Sequence, residues 1–158
     1  MIIKIALLLT LFLIFIQDIK DRQVYWFLFP ISGFLFGMLH YFEVGMYQFL
    51  IHLFLNLFFM GIVLGFLCYY SYFKLRKRFF QTFGSGDLLL FLAICFSFET
   101  GTFLILFSFS LLFSLILYYF MNSIQTDSTI PLAGNISFFF AIVIGLSWSG
   151  LCESLYLI

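Results

Sequence analysis

Gly84-Ser85-Gly86-Asp87 sets a carboxylate behind two glycines at the mouth of an apolar run, and Asp18 stands at the end of another. An ionised carboxylate beside hydrocarbon is costly, so an acid at the edge of a membrane segment marks a functional site by default. Two carboxylates held within a few Å do not readily ionise together, and such a pair keeps one proton between them near neutrality. That state suits acid–base catalysis. The ionised member draws a proton from a water that attacks an amide carbonyl, and the protonated member donates to the developing oxyanion and then to the leaving nitrogen. Gly84 and Gly86, lacking Cβ, permit positive φ and close approach of another backbone, as a scissile peptide requires. Each signal alone has an ordinary reading. A lone Asp at a helix edge is commonly a cap or topology residue, and Gly-x-Gly is frequent in membrane helices.

No metal or cofactor is expected. His40 and His52 fall away from the acids, and Cys68, Cys95 and Cys152 are too widely spaced for a zinc module or a disulfide framework. Asp21, beside Lys20 and Arg22, reads as an exposed loop charge, and Asp127 as a solvated loop residue, although either remains an alternative partner. Phe138 to Phe140 read as packing or lipid-facing residues, Tyr118 and Tyr119 as interfacial anchors.

The elements that must position the acids follow from composition. With 65% hydrophobic and 9% charged residues, the 158-residue chain lies outside the range of soluble domains and reads as one integral membrane domain, 1–158. A spanning helix needs about 20 apolar residues. Six segments qualify, at 1–17, 25–42, 46–73, 86–98, 102–120 and 132–151, and predict an all-α bundle of six transmembrane helices. The run after Lys4 has no small-x-small cleavage site behind it and is kept as a helix rather than a signal peptide.

Lys20, Arg22, Lys74, Arg76, Lys77 and Arg78 crowd into two linkers, which the excess of basic residues in cytoplasmic loops assigns to the cytoplasm. The N-terminus is then outside, and Glu43, Glu99 and Glu153 all fall outside with it; only Lys4 opposes this. Asp18 and Asp87 share the cytoplasmic boundary. The segment 86–98 rises about 20 Å, short of a roughly 30 Å hydrocarbon core, so Asp87 is expected below the headgroups. The basic end of the long third helix should project into the cytoplasm, for topology or phospholipid contact.

These residues resemble the type IV prepilin peptidases and preflagellin peptidases, the GxGD-type aspartic membrane proteases. Gly84-Ser85-Gly86-Asp87 matches the GxGD box without change, Asp18-Ile19-Lys20-Asp21-Arg22 matches the acid and basic loop after the first helix, and Ile130-Pro131 matches a weaker feature before the last. The resemblance implies that Asp18 and Asp87 are the catalytic aspartates. It implies a substrate of prepilin type, a short basic cytoplasmic leader joined to a hydrophobic helix and cut at the junction, with membrane lipid as surroundings and no nucleic acid. Tyr25 replaces the family's proline, so the turn into the second helix should differ. The paired-cysteine insertion of the longer, N-methylating members is absent, which implies peptidase activity alone. A small proton-coupled transporter using both acids, or an inactive homologue serving in assembly, are the alternatives. Presenilin-like proteases fit less well, because Gln17 rather than Tyr precedes Asp18.

Overall fold

In the computed structural model of the chain, residues 1–75, 84–121 and 131–148 are described. Among them there is no strand. Six α-helices follow in order: α1 (Ile2–Asp21), α2 (Leu28–Val44), α3 (Met46–Tyr70), α4 (Ser85–Ile94), α5 (Thr100–Met121) and α6 (Leu132–Trp148). A π-helical turn, Ser71–Leu75, continues α3. Three helices, Ile2–Asp21, Met46–Phe73 and Thr100–Phe120, are long and apolar enough to cross a membrane; Leu28–Val44, Ser85–Ile94 and Leu132–Trp148 are shorter apolar helices.

Helix boundaries differ from the hydropathy reading in ways that matter. α1 runs past Gln17 to Asp21, where Arg22 in the left-handed region (φ 55°) ends it, so Asp18 lies within the last turn instead of following the helix. Asp21 belongs to that helix rather than to a loop, and is exposed as expected. α2 starts at Leu28, three residues after Tyr25, because residues 22–27 form the turn; there the Tyr25 N–H donates to Gln17 Oε1 over 3.2 Å. Asp127, Arg76, Lys77, Arg78, Cys152, Glu153, Ile130 and the expected continuation of the last helix to 151 lie outside the described residues.

The core forms where apolar positions recur at helical spacing. Leu7, Leu11 and Ile14 are fully buried on one face of α1, at the i, i+4, i+7 positions that line one side of a helix. They meet α6, whose Ala133, Ile136, Phe140 and Ile144 are buried at similar spacing. Phe140 closes an aromatic trio with Phe36 of α2 and Phe98, ring centroids 6.0 to 6.2 Å apart, within the range of favourable edge and offset contacts. α2 packs in turn on α4, where Gly33 lets the backbone of Ala93 come within 3.2 Å of the position a Cβ would take. Only Asn56 and Met60 of α3 are fully buried; its other faces are largely exposed apolar surface. That is the surface lipid would cover.

The fourth segment carries the main departure. α4 ends at Ile94, not Phe98, and 95–99 is non-helical. Ten residues rise about 15 Å, and the backbone of 95–99, most of it buried, lacks the regular partners of a helix. Buried peptide groups need partners, and neighbouring helices supply them. Asn56 Nδ2 donates to the Cys95 and Phe98 carbonyls (3.1 and 2.9 Å), and His40 Nδ1 to the Phe96 carbonyl (3.3 Å). Ser97 donates through both N–H and hydroxyl to the Ile94 carbonyl.

Candidate functional site

Asp87 occupies the third position of α4, after Ser85 and Gly86, with Gly84 as the residue before the first turn. A side-chain acceptor at that position reaches back to the free N–H of the capping residue, one half of a capping box. The Asp87 carboxylate folds back toward Gly84 in this way, and the backbone of Ala133 and of Gly84 bears on it electrostatically. The glycine of the motif has a different use from the one expected. Gly84 has φ −66° and ψ 138°, ordinary extended backbone, and Gly86 is helical, so neither needs a positive φ. The reason for Gly84 is space. A Cβ there would stand 3.0 Å from Asp87 Oδ2, in the room the carboxylate uses to fold back. At Gly86 a Cβ would meet only the Phe29 ring edge at 3.4 Å.

Asp18 arrives from the last turn of α1 and accepts the N–H of Gly134 at Oδ2 over 2.6 Å, a charge-assisted contact at the short end of the range. Arg22 bears on it electrostatically from the end of the same helix. The charge of Asp18 bears on Asp87. Both are half-buried. The two acids therefore converge near the start of α6, Asp18 on the Gly134 N–H and Asp87 within the electrostatic reach of Ala133.

The start of α6 explains why they converge there. The first intrahelical bond of its opening turn runs from the Asn135 N–H to the Pro131 carbonyl over 3.1 Å, which leaves the N–H groups of the preceding residues without helical acceptors. A helix N-terminus also carries about half a positive charge. Two carboxylates that would otherwise repel thus share a region of positive potential, with Asp18 held by the Gly134 N–H. Pro131 stands directly before this helix, as its weak motif suggested.

The arrangement can do proton chemistry: Asp18 is fixed by a backbone donor, which leaves other carboxylate lone pairs of the two acids to take a proton from water or give one to a substrate oxygen. Among the described residues no group of three or more His, Cys, Asp and Glu side chains could hold a metal ion. His40 and His52 lie away from the acids, as their sequence positions implied, and the structure pairs them with ring centroids 5.9 Å apart. Their work there is structural: His40 holds Phe96, and His52 Nδ1 accepts from the Thr100 N–H (3.4 Å) and lies 3.2 Å from its hydroxyl.

Asn56, Ala133 and Gly134 escaped the sequence reading. Asn56 was visible as the amide in the middle of an apolar run that carries Gln48 near its start, and the pair Ala133-Gly134 as small residues closely behind a helix-starting proline, but neither pattern says what it faces. Comparison of the chain with protein-family models, with curated proteins and with solved structures found no match.

Proposed function

We propose that the chain is a membrane aspartic endopeptidase of the prepilin peptidase type, with Asp18 and Asp87 as its catalytic pair. The observation that carries this reading is the convergence of two acids, far apart in sequence, near the start of α6, where Asp18 accepts the Gly134 N–H and the charge of Asp18 bears on Asp87. All six helices cross the membrane in this reading, with the N-terminus outside and the acids at the cytoplasmic boundary of the plasma membrane, as the basic linkers suggest.

The substrate is a prepilin-like protein whose basic leader stays in the cytoplasm while its apolar helix lies in the bilayer. Its junction peptide reaches a dyad at the boundary without unwinding a transmembrane helix. One carboxylate removes a proton from water as the water oxygen bonds to the peptide carbon, and the partner acid gives its proton to the oxyanion; the first carboxylate then passes the proton it took from water to the departing nitrogen as the C–N bond breaks, and a diol hydroxyl returns its proton to the partner. The half-unwound α4 also suits a transporter, yet its Cys95, Phe96 and Phe98 carbonyls are occupied by Asn56 and His40 and are not presented to an ion.

The test is cleavage, in membranes, of a reporter joining a short basic leader to an apolar helix of about 20 residues. Asp18→Asn and Asp87→Asn keep shape and remove the acid–base group, so each should lower the rate by about 100-fold or more. Normal cleavage by either variant refutes the dyad, and a wild type that cleaves no such reporter favours the transporter or inactive-homologue reading.

A further inference from the structure

We infer that Gly134 is a positioning residue for Asp18: its N–H fixes the carboxylate, and its lack of a side chain is what allows α1 to come close enough for that bond. The role rests on the peptidase reading for its effect on cleavage, and on geometry alone for its effect on Asp18.

The contact is unusually crowded. A Cβ on Gly134 would lie 3.0 Å from Asp18 Cβ, 3.1 Å from Asp18 Oδ2 and 3.4 Å from the Phe15 carbonyl oxygen. Two of these three neighbours are a backbone oxygen and the first atom of a side chain, which cannot swing aside as a carboxylate tip can. Any side chain at 134 therefore pushes the end of α1 off α6, just where the 2.6 Å bond to Oδ2 is made. α1 and α6 share the most extensive helix contact among the described residues, so Asp18 cannot follow without disturbing that packing. Gly145, on the same helix, has nothing within 4 Å of where a methyl group would sit and supplies the control.

The same N–H does more than orient. The charge of Asp18 bears on Asp87, so displacing Asp18 from Gly134 changes the separation of the pair, and proton sharing is sensitive to that separation.

The experiment uses the full-length protein in lipid vesicles and compares wild type, Gly134→Ala, Gly145→Ala and a backbone ester that replaces the Gly134 N–H by oxygen without adding bulk. Two readouts are taken: kcat and KM on the leader reporter, and the rate at which a hydrophobic carbodiimide labels Asp18 and Asp87, followed by mass spectrometry. The expected result is a kcat at least tenfold lower with KM within twofold for Gly134→Ala and for the ester, an Asp18 labelling rate changed at least threefold, and Gly145→Ala like wild type. Wild-type kcat and labelling in the ester variant overturn the role of the N–H, and a wild-type Gly134→Ala overturns the steric part. Should Gly134→Ala fail to assemble, the ester decides. Should the wild type cleave nothing, the peptidase reading fails, while Asp18 labelling in the ester variant still decides the role of Gly134.

Discussion

Replacing Asn56 by leucine removes two of the hydrogen bonds that hold the unwound stretch after α4, leaving that of His40 to Phe96, and the cost follows from the two that disappear. The side chain is fully buried and donates to the Cys95 and Phe98 carbonyls over 3.1 and 2.9 Å. Leucine is an apolar side chain of similar shape, so packing is largely kept. Interhelical bonds of this kind contribute about 0.6 kcal/mol each in membrane proteins. Each stranded carbonyl adds about 1–3 kcal/mol where water cannot replace the donor. Loss of the buried Asn56 Oδ1, which accepts no hydrogen bond, returns about 1–3 kcal/mol, so the net cost is about 2–5 kcal/mol. The assay is reversible unfolding in bicelles, with hydrogen exchange resolved to 95–99. Asn56→Leu should lower stability by that amount and speed exchange in 95–99 more than in α1 or α6, since α3 touches the bundle along a narrow stripe around Asn56 and Met60. A loss below about 0.5 kcal/mol, less than even the two bonds alone provide, would refute the reasoning that these bonds hold the break in place.

Gly33→Ala sets a methyl 3.2 Å from Ala93 Cα and 3.4 Å from its Cβ; overpacking of this kind costs about 1–3 kcal/mol, and it should also slow cleavage because α4 carries Asp87 out with it, as paired stability and rate measurements would show. Gly84→Ala differs: its φ and ψ suit alanine and its clash is with the mobile tip of Asp87. Stability should change by less than about 1 kcal/mol, within the range of substitutions that touch no core feature, while cleavage falls about tenfold, the equivalent of roughly 1.4 kcal/mol in the barrier. Unaltered cleavage would show that the motif glycine is not there to make room for the carboxylate.

The positions of the helices were legible because apolar runs broken by charge announce themselves: the order of six helices, the approximate limits of five, and the placing of Asp18 and Asp87 at the ends of their runs all follow from where hydrocarbon-like side chains stop. The end of α4 was not legible. Cys95-Phe96-Ser97-Phe98 is nearly as apolar as the helix before it, and hydropathy records what a segment can be buried in, not whether its peptide groups bond to each other or to Asn56 and His40. The same limit hid the reason for Gly84. A glycine in a sequence signals either a special φ or a close neighbour, and only the fold distinguishes the Asp87 carboxylate from a strained backbone.

The sequence by itself determined that the chain is an apolar helical protein and that two acids stand at the ends of apolar runs, since charge and hydrophobicity are local properties of residues. Tertiary structure decided that these acids meet, and where. Asp18 and Asp87 are brought together by the packing of α1 and α4 against α6, and Asp18 is held by the backbone N–H of Gly134. Every residue but proline carries such a group. What selects this one is that it opens a helix, lacks an intrahelical acceptor, and lacks the side chain that would keep an aspartate away.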